Sequence, residues 1–454
     1  MKHSRPHCLA KYKKRRKTFV FQTPLPVCGV LYYGIFDLSI PFSIFFENFF
    51  KVLDKPGNMM YNPNHEQRRS YRWETIFMNV FLFVRKGNTT MLKKEGQVRI
   101  PSGCAIAAVI SKEGKRMTGE TIISGMLPMH DRSNGLGGGF AGYGIYPEYR
   151  EFYALHIFFD DRTAMTECEA FLVDSFEVVK DENIPIRKIP EITDLPIIRR
   201  YFVAPLSSVL SRLQLDEKEY VARIVMKINT EMKGAYVFSS GKNMGAFKAV
   251  GFPEDVGRFY RLEEYEGYSW TAHGRYPTNT PGWWGGAHPF GLLDVSVVHN
   301  GEISSYDANR RYIEMFGYKC NLQTDTEVIT YIADYLLRRQ GLTPEELASV
   351  IAAPFWSTIE RKEEKEAEQL TYLRKVYSEL LITGPFSIIL GFTGGLMALN
   401  DRLKLRSMVV AEKDDRVYIA SEEAAIRKME PDAKDFYAPG GGEPILVKVK
   451  EGAF

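Results

Sequence analysis

Arg275, Asn300 and Asp325 stand 25 positions apart, each a strongly polar residue set among small ones. Arg275 follows "TAHG", where an apolar segment ends. A guanidinium at a strand end can hold a carboxylate through two parallel hydrogen bonds, or it can close an ordinary structural ion pair. Asn300–Gly301 ends the strand-like run "DVSVVHN". An Asn-Gly pair makes a tight turn, or, with a side-chain amide beside an exposed glycine N–H, a two-donor oxyanion hole. Asp325 opens "DTEVITYIADYLLRR", where Val328, Ile329, Ile332 and Leu336 form a helical stripe. Thr324 and Glu327 read as a capping box, which would make Asp325 a favourable charge on the helix dipole; its carboxylate could equally receive a substrate ammonium.

Two cysteines lead apolar runs and are candidates for a nucleophile: Cys28 in "PLPVCGVLYY" and Cys104 in "PSGCAIAAVI". A free thiol has a pKa of about 8.5, so a reactive cysteine needs a base nearby. The remaining cysteines are Cys8, Cys168 and Cys320, and no CxxC pair occurs among the five. That pattern suits a reducing compartment, hence a cytoplasmic protein, and offers no zinc or iron–sulfur site.

These residues need a scaffold, and the chain from Met91 onward has the texture of one. "CAIAAVIS" and "YALHIFF" read as buried strands, while "YVARIVMKI" suits strand or helix. "SNGLGGGFAGYGIYP" reads as a glycine-rich loop whose backbone is closely approached; it lacks the spacing of a nucleotide site. "NIPIRKIPEITDLPIIRRYFVAP" looks like an ordered connector, and residues 359–376 like a charged, solvated helix. The C-terminal part returns to strands in "FSIILGFTGGLMALN", "SMVVAEKDDRVYIAS" and "EPILVKVK". This is one large α/β domain.

The first ninety residues differ. They are rich in phenylalanine and lack a clear helical or strand period, and residues 1–20 carry eight Lys and Arg and no acid. The net charge of +3 argues against a dedicated nucleic-acid surface. The longest apolar candidate for a membrane span, "VLYYGIFDLSIPFSIFFENFF", is broken by Asp37, Pro41 and Glu47. Residues 1–90 are thus a doubtful extension, with Met91 an alternative start.

In the order cysteine, Arg275, Asn300–Gly301, Asp325, the chain resembles the class II glutamine amidotransferases, members of the N-terminal-nucleophile hydrolases. "PTNTP" followed by a Trp-rich loop and then "HNGEI" is most similar to the amidotransferase part of glutamate synthase, with further echoes in "NDRLKLRSM" and "YIASEE". In that family a segment of the form "HRGxDxxG" follows the nucleophile. Here "MHDRSNGLGGGFAGYGI" stands 25–41 residues after Cys104 and nothing comparable follows Cys28, so the resemblance selects Cys104.

The resemblance implies an α+β fold, a four-layer αββα sandwich with two stacked antiparallel sheets between helical layers, over residues 104–454. It implies that Cys104 attacks the glutamine side-chain amide to form a thioester. Asn300 and Gly301 would hold the oxyanion, Arg275 the α-carboxylate and Asp325 the α-ammonium, with His273 and Thr278 as further candidate substrate contacts. Once Cys104 is residue 1, its own α-amine, of pKa roughly 7.7–8.0, serves as base. Residues 91–103 would then be a pro-segment removed by attack of the thiol on the Gly103 carbonyl. The chain has no room for a flavin barrel or iron–sulfur ligands, so no cofactor is expected on it. FMN and iron–sulfur clusters would belong to a partner glutamate synthase subunit that takes the ammonia. No nucleic acid or membrane partner is expected. A subunit for another acceptor, a freestanding glutaminase, and a non-catalytic module with unprocessed Cys104 are the alternatives.

Overall fold

The computed structural model describes residues 103–275 and 282–453, together with four two- or three-residue strands between Phe19 and Phe36. Chain contacts divide the protein into two units, 1–95 and 96–454. Within the first, Phe19–Val20 pairs with Ile35–Phe36 and Leu25–Val27 with Val30–Tyr32. Cys8, Cys28, Met91, Thr278 and most of the 91–103 segment lie outside the described residues.

The second unit is built on two antiparallel sheets. Its site-bearing elements are β1 (Ala105–Ser111), β2 (Gly138–Tyr143), β3 (Ser269–Gly274), β4 (Val295–Gly301), α1 (Asp325–Asp334), β5 (Phe386–Phe392), β6 (Gly395–Asn400) and β7 (Arg416–Ala420). A seven-stranded sheet has β2, β3, β1 and β7 as its central run, and a five-stranded sheet is centred on β4, β5 and β6.

Alternation along β1 explains the layers. Ile106, Ala108 and Ile110 pack toward the second sheet, where Val298, Ile389, Leu396 and Ala398 meet them. Ala105, Ala107 and Val109 pack toward the helices Glu120–Met126, Pro253–Phe259 and Glu423–Met429. Both faces of the strand are buried, so its sequence is apolar without interruption rather than alternating. On the far side of the second sheet, Val297, Ile388, Leu390 and Leu399 pack against Val328, Ile329 and Ile332 of α1 and against the helix Pro344–Ile351. The order is helices, sheet, sheet, helices, the αββα sandwich that the resemblance implies.

"YVARIVMKI", left open between strand and helix, is helix throughout, within Glu217–Glu231. Two segments depart from the expectation. The glycine-rich stretch is a loop only in part: Gly138–Tyr143 is a fully buried strand of the seven-stranded sheet. The ordered connector contains the longest strand, Ile197–Pro205, which belongs to an additional four-stranded sheet with Tyr153–Phe159, Phe176–Asn183 and Ala235–Ser239. Arg199 and Arg200 mask that strand in the sequence, and they are neutralised by Asp181 and Glu182 on the adjoining strand.

Candidate active site

The register brings the candidate residues to one end of both sheets. Cys104 immediately precedes β1, and β1 runs antiparallel to β3 with Ala105 opposite Gly274, so Arg275 leaves the sheet beside Cys104. β7 is the other neighbour of β1; Ala420 pairs with Ala107, which delivers Ser421 to the same end. Across the interface, His273 Nε2 bonds the carbonyl of His299 at 2.9 Å. That contact aligns the end of β3 with the end of β4, where Asn300 and Gly301 sit.

Cys104 is partly exposed, whereas Cys168 and Cys320 are buried and their thiols are pushed well up by burial. Arg132 donates from Nε to the Cys104 carbonyl at 3.0 Å and pairs with Glu422 at 2.7 Å. Gly103 has φ of 144° and open space where a Cβ would be.

Asn300 is 1% exposed, and its Nδ2 donates to Ser421 Oγ at 3.4 Å. The same hydroxyl oxygen accepts the Ile106 N–H at 3.1 Å, and the Ser421 N–H returns to the Ile106 carbonyl at 2.9 Å. One hydroxyl therefore ties the oxyanion candidate to the strand that carries Cys104. Gly301 must be glycine: a Cβ there would strike the Pro385 carbonyl and come within 2.8 Å of Phe386 Cα. Asn300 and Gly301 stay in β4, paired with Ser387 and Phe386, so they form no turn.

Arg275 is 4% exposed. Gly137 and Gly286 crowd it: a Cβ on the first would lie 3.0 Å from its Cδ and on the second 3.2 Å from Nη1. Burial pushes its pKa below the ordinary value, while the charges of Cys104 and Asp325 pull it back. The guanidinium is thus within electrostatic reach of both.

Asp325 begins α1 and is about one-fifth exposed, with a side-chain value of 21%. The expected capping box is not formed. Thr324 makes no side-chain cap, and Glu327 turns inward to accept the Leu322 N–H at 2.9 Å. Burial alone would raise the Asp325 pKa. His299, the Ile303 N–H and the Thr326 hydroxyl outweigh it and hold the carboxyl below its usual range. Thr326 Oγ1 is the hub: it lies 3.2 Å from Asp325 Oδ1, 2.7 Å from His288 Nε2 and 3.2 Å from His299 Nδ1. A hydroxyl has one proton to give. With that proton on Asp325, both rings donate to the oxygen, and the unpartnered Nδ1 of His288, whose pKa burial drives well down, is a bare lone pair rather than an orphaned donor.

His273 is fully buried, stacked on His288 with centroids 3.8 Å apart, and burial lowers its pKa to about 3. It lies in the floor between the sheets. Ser421, Thr326, His288 and Arg132 escaped the sequence reading as site residues. Ser421 lies inside "YIASEE", Thr326 inside "DTEVITYIADYLLRR" and Arg132 inside "MHDRSNGLGGGFAGYGI", while His288 stands between "PTNTP" and "HNGEI". Lys248 also escaped it: wholly buried, it donates to the carbonyls of Gly285 at 2.9 Å and Pro289 at 3.3 Å, pinning the loop that carries His288.

Residues 161–453 match the family model of the class-II glutamine amidotransferases, and the chain belongs to that family. It is 49% identical over 350 residues to an uncharacterized protein of Archaeoglobus fulgidus, an alignment covering 76% of this chain and 92% of the relative. It is 23% identical over 245 residues to the amidophosphoribosyltransferase of Methanocaldococcus jannaschii, covering 53% of this chain and 45% of that enzyme. Among solved structures, a glutamine phosphoribosylpyrophosphate amidotransferase from B. subtilis is similar over 76% of this chain and 47% of its own, at 13% identity and a TM-score of 0.38. Among the described residues, no helix is long and apolar enough to cross a membrane.

Proposed function

We propose that the protein hydrolyses L-glutamine through a Cys104 thioester and passes the ammonia to a partner synthase, with a flavin-containing glutamate synthase subunit as the acceptor enzyme. Family membership supports glutamine as the substrate. The observation that carries the reading is the convergence of Cys104, Arg275, Asn300–Gly301 and Asp325, from four elements, on one end of the paired sheets. The similarity of "PTNTP", the Trp-rich loop and "HNGEI" to the glutamate synthase branch supports the choice of acceptor.

In this reading the thiol adds to the side-chain carbonyl, and the Cys104 α-amine, freed by removal of everything up to Gly103, takes the thiol proton and gives it to the departing ammonia. Asn300 Nδ2 and the Gly301 N–H receive the oxyanion, each donor contributing about 3 kcal/mol of transition-state stabilisation. Arg275 and Asp325 hold the α-carboxylate and α-ammonium. Water then hydrolyses the thioester and releases glutamate. FMN and iron–sulfur chemistry, where needed, belongs to the partner.

Intact mass and N-terminal sequencing of the purified protein, followed by an ammonia-release assay on glutamine, tests this. A chain beginning at Cys104 that releases ammonia, with the activity lost in Cys104→Ala, is the expected result. A chain beginning at Cys104 that leaves glutamine intact overturns the reading.

A further inference from the structure

Beside the candidate site lies a patch that leaves both charge and apolar area unmet. Residues 401–406 form the turn after β6, and Asp401, 3% exposed, holds that turn from within. Its carboxylate accepts the backbone N–H of Leu403 at 2.9 Å, of Leu405 at 2.9 Å and of Phe386 at 3.2 Å. Lys404 takes a left-handed φ of 55°. The turn is therefore pre-organised, and it lifts Leu403 and Leu405 into solvent, 61% and 56% exposed.

A ledge adjoins it. The Arg402 guanidinium lies 4.5 Å from the Phe355 ring centroid, and that of Arg374 lies 4.2 Å from Trp356. Both rings are themselves exposed, 41% and 44%. Among the described residues, no ion pair engages Arg374, Arg402, Lys404 or Arg406. Burial and then the facing charge of Arg402 depress the Arg374 pKa, as expected for two like charges with no carboxylate between them.

The turn is also strung between the two halves of the oxyanion candidate. The Asp401 N–H donates to the Phe386 carbonyl at 2.8 Å, and Phe386 pairs with Gly301. Two strand spacings put the start of the turn about 10 Å from Gly301. Just past its other end, Ser407 Oγ donates to the Ser421 carbonyl at 2.9 Å, and Ser421 holds Asn300.

We propose that the 401–406 turn and the Phe355–Trp356 ledge form the docking surface for the polypeptide that accepts the ammonia, through an acidic face carrying two apolar sockets. The inference rests on the amidotransferase reading. Four cations that meet no carboxylate among the described residues, three of them bonded only to the backbone carbonyls of Pro354, Ala353 and Ala438, select an acidic partner, and interleaved leucines and aromatic rings select a protein: a nucleic acid or a free anion would neutralise the arginines and leave both leucines in water. Rigid, exposed Trp and Arg side chains are the residue types that anchor such interfaces. A second copy docking by its own patch would set cations against cations.

The test uses the purified flavoprotein synthase subunit of the same cell as probe. The parent chain, the double variant Leu403→Glu/Leu405→Glu and the single variant Lys404→Glu are each assayed for ammonia release from glutamine alone, then for binding to the probe by sedimentation at low and high salt. We expect ammonia release within about twofold of the parent in both variants, since the changes are at the surface. We expect binding to fall roughly 100-fold in the double variant and less in Lys404→Glu, with the parent complex weakened by salt. Equal binding by parent and variants overturns the proposal, as does a parent that does not bind the probe, or a patch whose substitution abolishes only self-association or binding of RNA. Binding lost in the variants from a parent that releases no ammonia supports the surface and overturns the catalytic reading, so the two fail separately.

Discussion

In the proposed reading two hydroxyls support the groups that hold the two ends of glutamine, and they should have opposite kinetic signatures. Ser421 Oγ receives Asn300 Nδ2 and the Ile106 N–H. Its removal leaves Asn300, the proposed oxyanion donor, without its anchor, a loss felt mainly in the transition state. Ser421→Ala should lower kcat roughly tenfold and leave KM near the parent value. Thr326 acts on Asp325, which in the proposed reading binds the ground-state ammonium and the transition state alike. Thr326→Val removes the donor to Asp325 and the shared acceptor of His288 and His299. KM for glutamine should rise roughly tenfold with kcat little changed, the cost of one misplaced charged contact. Steady-state ammonia release measures both; a KM effect from Ser421→Ala or a pure kcat effect from Thr326→Val would reverse the assignment. Neither hydroxyl was visible as functional in the sequence. A serine beside a strand and a threonine in a helical first turn are ordinary there, and their value lies in partners more than a hundred residues away or across the sheet interface.

At the level of elements, the apolar strands were legible because burial of both faces writes an unbroken run, as in Ala105–Ser111 and Phe386–Phe392. The stripe Val328, Ile329, Ile332 and Leu336 likewise marks a helix that is helix. Elements were lost where side chains serve a neighbour rather than their own periodicity. Glu327 carries an inward hydrogen bond, which defeated the capping-box reading, and Arg199–Arg200 interrupt a strand whose acids come from the strand beside it. The glycine run Gly138–Tyr143 hid a strand because close approach, and not flexibility, requires its glycines. A Cβ on Gly139 would meet the His288 carbonyl, lie 2.6 Å from the Phe247 carbonyl and lie 2.8 Å from Lys248 Cβ. Gly139→Ala should therefore destabilise by about 2–4 kcal/mol, because backbone on both sides must shift. Gly341, with φ of 69° and open space around it, is the control. Gly341→Ala should cost only about 1 kcal/mol, from backbone strain alone. Urea denaturation of the two variants measures the difference, and equal losses would remove the steric account of the glycine-rich strand.

The molecule as a whole buries titratable groups whose shifts make its stability depend on pH in a definable direction. Burial lowers His156 and His273 to about 3 and drives His288 well below its ordinary value. A histidine neutral in the fold and protonated when unfolded at mildly acid pH contributes stability that is lost as pH falls below its unfolded pKa of about 6.5. Glu327 acts the other way. Burial raises it to about 7, so in the same range the folded state holds a proton that the unfolded carboxyl has released. Lys248, lowered by burial to about 7, is protonated in both states below that point and adds no slope. Between pH 6 and 5, then, unfolding takes up three protons on histidines and releases one from Glu327, and stability should fall as pH falls by about 2.7 kcal/mol per pH unit. Glu327→Gln keeps an oxygen for the Leu322 N–H and deletes the opposing proton. Its slope should steepen to about 4 kcal/mol per pH unit. Asp325 and Glu219, both held below the usual carboxylate range, add to the loss only at lower pH. Urea unfolding of parent and variant at closely spaced pH values between 6 and 5 decides the matter. A flat profile would mean that the three rings are charged or hydrated in the native protein, and an unchanged slope in Glu327→Gln would mean that Glu327 is ionised there.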